Sequence, residues 1–387
     1  MSNTLTLTAL TENIFRAKDI IAREPTGFIQ SVLVNSGSEG VSINGTVLSH
    51  VTAEPTLNTS YTPAMTIPAA DDQTVTTESM TIGQVANVRV PLTGEALRQL
   101  GNTAGQKVID DMMVQAIRKI VNTIEAHCGT VIYKGSSRAV GTAGTTPFAS
   151  TIAILADLRQ ILEDNGAPMR DGELSTIIST SAGTKLRQIA NLYKANEAGS
   201  DALLRRGELL NLMGMSIKAS AGVQSHTKGA GTGYDFSGSE AIGQTTLSFE
   251  GGTVNTTGIK AGDVIAMDTD TANKYVVKTG STATSGDIVI NNPGLRVAGT
   301  TSSEITIGDS YTANLGFHRS AVELVMRPPA MPYGGDSASD RMTIVDDVTG
   351  LVFEVALYKG YGMNMLDFTC LYQAKVWKSD FVATLLG

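Results

Sequence analysis

The stretch TAGQKVIDDMMVQAIRKIVNTIEAHCG, residues 103–129, decides how the rest of the chain is read. Thr103 and Gln106 have the spacing of a capping box, which predicts a helix start. Apolar residues then recur at Val108/Ile109, Met112/Met113, Ala116/Ile117, Ile120/Val121 and Ile124, with polar residues between them, until Gly129 offers a left-handed stop. The pairs repeat every four residues rather than every 3.6, so the stripe turns by roughly 40° per repeat and winds around the helix. No single flat partner covers such a stripe. The reading is a spine helix crossed by different elements along its length.

Around this spine the chain has 387 residues, of which 42% are hydrophobic and 17% charged, enough for two or three domains with real cores. Its 29 Lys and Arg against 37 Asp and Glu give a net charge of -8, which disfavours a general phosphate binder. Cys128 and Cys370 lack disulfide or metal spacing and read as small core residues of a reduced compartment. No secretory signal and no run of about 18 apolar residues is seen, so the expectation is a soluble product made inside a cell, with no membrane partner.

Before the spine, residues 1–24 read as an arm with one amphipathic helix ended by Pro25. Alternation at 40–48 and again at 74–90 predicts a long hairpin whose tip carries Pro55, Pro63 and Pro68. Such a projection is marginal alone and calls for another molecule to rest on. After the spine, Val131-Ile132-Tyr133 reads as a strand, and helices capped by Ser150 or Thr151 and near Ala182 alternate with strands at 174–179 and 215–218. A further helix is expected over 200–213. From Val223 to Thr312 glycine is frequent and short strands are predicted at 245–249, 264–267, 274–277, 287–290 and 304–307, an all-β insert. Strands at 351–358 and 367–377 then read as an antiparallel pair.

No chemistry stands out. His50, His127, His226 and His318 have no carboxylate or cysteine at ligand spacing and read as surface or structural. Asp268-Thr269-Asp270 begins like a calcium loop, but Ala272 and Asn273 break the pattern and favour a hairpin turn. The glycines of 229–243 lack a phosphate-loop ending. Asp110/Asp111 and Asp346/Asp347 read as solvated faces, and Arg205-Arg206 is too small a patch for nucleic acid. No catalytic residue, metal or cofactor is expected.

The order of parts resembles the major capsid protein of tailed bacteriophages, with the Hong Kong 97-like shell fold. The resemblance covers nearly the whole chain and includes Leu212-Met213-Gly214-Met215-Ser216-Ile217, similar to a turn leading into an axial-domain strand. Ile259-Lys260-Ala261-Gly262-Asp263-Val264, Lys274-Tyr275-Val276-Val277 and Gly286-Asp287-Ile288-Val289-Ile290 are similar to the β-barrel inserted in podovirus-type coat proteins. The resemblance implies an α+β fold with an N-terminal arm (1–34), an extended loop (35–90), a peripheral domain (91–149 and 351–387), an axial domain (150–222 and 313–350) and an inserted β domain (223–312). It implies a structural protein and not an enzyme, self-assembling as pentamers and hexamers of an icosahedral shell in the host cytoplasm. Its partners would be a scaffolding protein, a portal and packaged double-stranded DNA, with Asp268 and Asp270 as candidate subunit contacts. Competing readings are a cellular compartment shell of the same fold, a β-rich adhesin or fibre protein and, last, a hydrolase with a β accessory domain.

Overall fold

The computed structural model describes residues 27–52, 57–59, 61–67, 75–95, 102–149, 151–189, 192, 211–254, 257–345 and 350–387. The expected arm helix (1–24), Pro55 and Pro68 of the hairpin tip, Arg205-Arg206, Asp346/Asp347 and most of the helix expected over 200–213 lie outside them. The described chain is β-rich, with three α-helices: α1 Asn102–Lys134, α2 Ala153–Asp164 and α3 Thr180–Arg187.

Helix α1 starts at Asn102, so Thr103 is already helical rather than the cap, and it runs through Gly129 and the segment expected to be a strand, Val131-Ile132-Tyr133. The reason is close packing. A Cβ at Gly129 would lie 3.0 Å from the Gly222 carbonyl oxygen and 3.2 Å from the Phe28 ring, so this glycine admits neighbours instead of ending the helix. Buried positions move from Ile109, Met113 and Ala116 to Cys128, Ile132 and Tyr133, a drift of more than a quarter turn at about 100° per residue. Its first half lines a groove with strand 84–93, strand 363–376 follows it as far as His127 against Tyr372, and its end meets 311–318 through Tyr133 and Tyr311. One helix therefore spans two sheets.

In the first sheet the strand Met363–Val376 is central. One of its edges pairs with Gln84–Thr93; the other is shared by Val352–Lys359 and Val322–Arg327, which in turn pair with Ala338–Val345 and Leu33–Ser36. This corrects the reading of 74–90 as one arm of a hairpin. The alternation continues through the segment, but the chain changes sheets at Gly83: Val75–Thr81 pairs with Thr46–Thr52, and Gln84–Thr93 belongs to the body.

The second sheet runs Arg138–Gly141, Val382–Leu386, Tyr311–His318, Leu174–Ile178, Met215–Ala219 and Asn211–Leu212. Val382 and Leu386 face the α1 cluster while Ala383 and Leu385 face α2, and every residue of that strand is buried because both faces are covered. Asn211 and Leu212, expected to end a helix, form a hairpin strand; Met213 at φ 52° and Gly214 at φ 74° make its two-residue turn. Helix α2 takes Ile152 as N-cap without a side-chain bond, not Ser150 or Thr151, whereas Ser179 does cap α3.

The insert closes into a six-stranded antiparallel barrel in the order 234–236, 246–250, 286–290, 270–279, 264–267, 304–307 and back to 234–236. Closure removes the exposed edges, and Tyr234, Phe236, Phe249, Ile265, Tyr275 and Ile288 fill the centre. The strand at 234–236 has no sequence signal, because three residues inside a glycine-rich run carry no periodicity.

Candidate functional site

The hairpin 46–52/75–81 is the one described element paired only with itself. Its base rests on the first sheet: Val47, Met80 and Ile82 pack with Val325, Leu371 and Trp377. Lys375 Nζ donates to the Glu78 carboxylate (3.1 Å) and the Ser79 carbonyl (3.0 Å) while sitting 4.1 Å from the centre of the Trp377 ring. The far end has no such cover. Leu57, Tyr61, Met65 and Ile67 are each at least 83% exposed, an arrangement water disfavours unless another surface covers it. No Lys or Arg occurs between Arg23 and Arg89, so the projection is acidic.

Elsewhere on the body, Val88, Val90, Pro91, Met112 and Ala116 line a shallow, mostly apolar groove of about 490 Å³ between strand 84–93 and α1, with Arg89, Asp111 and Gln115 on its rim. Among the described strands, 84–93 pairs only with 363–376, so its other edge borders this groove unpaired.

Two buried polar joints tie the barrel to the rest. In the first, the Asp263 carboxylate lies 2.7 Å from His226 Nε2 and accepts the Gly229 and Lys260 N–H groups, while Tyr311 donates to the Gly262 carbonyl. Tyr133, at the end of α1, packs against both His226 and Tyr311. Gly262 is required here: it sits at φ 95° and a Cβ would lie 2.6 Å from Tyr133. In the second, the Arg138 guanidinium, 5% exposed, donates to Asn273 of the barrel (2.8 Å) and to Asp164, Asn165 and the Ile161 carbonyl at the end of α2. Arg296 of the barrel reaches the same helix end through Asp164 O and Asn165. Cations suit a helix C-terminus, but burial and then the adjacent Arg296 pull the Arg138 pKa below its usual value.

Asp268 and Asp270, the two residues singled out from sequence, part company. Residues 268–269 form a two-residue turn between Met267 and Asp270, as the hairpin reading expects. Asp268 is exposed there and accepts the Ser303 hydroxyl, which holds its carboxyl below the usual range. Asp270 is 5% exposed and accepts the Asn273 amide and the Tyr275 hydroxyl, so its carboxylate is engaged inside the barrel.

Two histidines have carboxylate partners that spacing hides: His226 meets Asp263 and His318 meets Asp171, both at 2.7 Å, across 37 and 147 residues. Asp171, Glu173 and His318 also cluster as metal ligands do. The tautomer argues otherwise: His318 Nδ1 accepts the Ser320 N–H, so Nε2 carries the proton and donates it to Asp171. Bonds from the Glu173 N–H and His318 hold the Asp171 carboxyl below its usual range. Cys128 and Cys370 are buried, which pushes both thiols up, Cys370 to about 12, and away from reactivity. No helix among the described residues is long and apolar enough to cross a membrane.

No protein-family model matches the chain, and no curated protein matches it. Solved structures do. The capsid chain of cyanophage P-SCSP1u is 13% identical, aligns over 94% of this chain and 88% of its own, and superposes with a TM-score of 0.51. The fold is that of a phage capsid chain. A Mycobacterium phage Che8 structure (12% identity, 88% and 84% coverage, TM-score 0.47) and the mature capsid of bacteriophage PhiM1 (11%, 93% and 86%, 0.46) are also similar.

Proposed function

We propose that this chain is the structural major capsid protein of a tailed bacteriophage, of the Hong Kong 97-like type, and that it assembles as pentamers and hexamers of an icosahedral shell around double-stranded DNA. One observation carries the reading: a chain with a capsid fold projects an acidic hairpin with an exposed apolar tip and bears, on its body, an apolar groove with Arg89 on the rim. In this reading the tip of one copy seats in the groove of the next. Each is costly to leave in water, and their joint burial stabilises a contact that a monomer cannot make.

The reading assigns residues 1–34 to an arm and 35–83 to the extended loop, with strand 84–93 passing to the peripheral domain built on α1 and the first sheet. The second sheet with α2 and α3 is the axial domain, which draws in strands 138–141 and 382–386 from the bounds expected for the peripheral domain and gives up 322–327 and 338–345, expected in the axial domain, to the first sheet; 223–312 is the insert. The exposed Asp268 is the subunit contact of the barrel; Asp270 shapes the turn that presents it. The chain is placed in the virion and assembled in the host cytoplasm, with a scaffolding protein and a portal as partners. It carries out no reaction.

Cysteines at Met65 and Met112 test the seating, because Cys128 and Cys370 are buried and do not compete. In particles of the Met65→Cys, Met112→Cys double variant, oxidation is expected to give a ladder of linked subunits on denaturing gels, and neither single variant gives one. Monomers alone from oxidised, intact particles would overturn the seating.

A further inference from the structure

Three segments remote in sequence meet at the C-terminal half of α1: the helix itself, the turn at 27–32 and the end of strand 215–219. Glu125, on the helix and 3% exposed, directs its carboxylate at the chain just after residue 26. Oε1 accepts the Gly27 and Phe28 N–H groups at 2.6 and 2.8 Å, and Oε2 accepts that of Ile29 at 3.0 Å. Three successive amides turned on one anion make a nest, a geometry that fixes the backbone as well as the charge. The turn that follows is closed by Ser31 N–H and Val32 N–H on the Phe28 carbonyl, at 2.9 and 3.1 Å.

The third segment is the end of strand 215–219. Ser220 donates its hydroxyl to Glu125 Oε1 at 2.8 Å, and Lys218 Nζ donates to Ser31 Oγ at 2.9 Å. Burial pushes the Lys218 ammonium down while the Glu125 carboxylate opposes that shift. A glycine from each segment permits the crossing. A Cβ at Gly27 would lie 2.8 Å from Ser220 Cβ, one at Gly222 2.5 Å from Glu125 Cγ, and one at Gly129 3.0 Å from the Gly222 oxygen.

A helix that needed only to cover this spot would carry Ile or Leu, as α1 does at Ile117, Ile120 and Ile124. A buried carboxylate costs several kcal/mol to desolvate, roughly, and is retained where its bonds impose a geometry apolar packing does not. We infer that Glu125 is the anchor of the N-terminal arm: it fixes where, and in which direction, the residues before Gly27 leave the body, so that every copy presents its arm to the same place on a neighbour. This inference rests on the shell reading and adds a positioning residue to it.

Hydrogen exchange of unassembled Glu125→Gln subunits, with electron microscopy of the particles they form, tests the anchor. The amide of Gln keeps the shape but loses the charge and turns a donor toward the nest. Exchange over 27–32 is expected to rise about 10- to 100-fold, the loss of charge-assisted bonds, and open or tubular particles are expected to replace closed shells. Ile120→Val, a cavity variant of the same helix, is expected to form closed shells. Unchanged exchange overturns the anchor. Faster exchange with normal shells overturns its positioning role and leaves a packing residue. If Glu125→Gln does not fold, Ser220→Ala and Lys218→Met each remove one outer bond and are expected to raise exchange over 27–32; no rise in either overturns the anchor. Failure of the wild-type chain to form shells strikes the shell reading instead, since the exchange result is read on free subunits.

Discussion

Serine at Leu57, Tyr61, Met65 and Ile67 together is expected to leave the subunit folded and to abolish its assembly. The four side chains bury little within the chain, and exposed substitutions usually change stability by no more than about 0.5 kcal/mol each. Between copies the sum is different. Burying an apolar side chain of this size contributes about 1.5–3 kcal/mol, so a fully seated tip is worth up to roughly 6–12 kcal/mol per contact. Even half of that loss raises the concentration needed for assembly by a factor of about 100 or more. Sedimentation velocity at wild-type assembly concentrations checks the outcome, with thermal unfolding by circular dichroism as the control. Shells of normal size from the quadruple variant would remove the hairpin tip from the contacts that hold the shell.

Asp263→Ala is expected to be the most destabilising single change in the barrel joint. Its carboxylate is buried, and its loss strands the Gly229 and Lys260 N–H groups and the His226 ring in a site water does not reach. Each buried donor left without its acceptor costs about 1–3 kcal/mol. Tyr133→Phe is the control: its hydroxyl lies 3.4 Å from His226 Nδ1, a long contact, so its loss is expected to cost about 1 kcal/mol or less. In hydrogen exchange the barrel strands of Asp263→Ala should lose protection before the two sheets do. A loss under about 1 kcal/mol, spread evenly over the chain, would show that the barrel is held by the strand pairing of Lys274 with Ala139 and not by this joint.

The spine helix and the barrel strands were legible because their signals are periodic and local. The winding of the apolar pairs from Val108 to Ile124 requires more than one partner, and α1 does span both sheets. Five short alternating runs in the insert all became strands within a few residues of their expected limits. Boundaries failed where tertiary contact overrode local chemistry. Gly129 has the look of a stop, yet it is helical because Phe28 and Gly222 approach it. At Gly83 the alternation does not break, so only pairing reveals that the chain leaves the hairpin for the body.

The polar joints were not legible at all. Glu125 meets Gly27 across 98 residues, and Asp263 meets His226 across 37, so no spacing rule joins them. The one signal present was indirect: an acid, Glu125, on the apolar side of an amphipathic helix. Asp268 and Asp270 look equivalent in sequence because both sit at a turn. The two-residue hairpin sends one outward and the other into the barrel.

Negative-stain electron microscopy of the unaltered chain, produced alone and then with a candidate scaffolding protein, tests the central claim most directly. The account predicts closed shells, or spirals and tubes where the scaffold is missing, built from rings of five and six copies. Monodisperse monomers under both conditions, at concentrations where the folded chain is abundant, would contradict it.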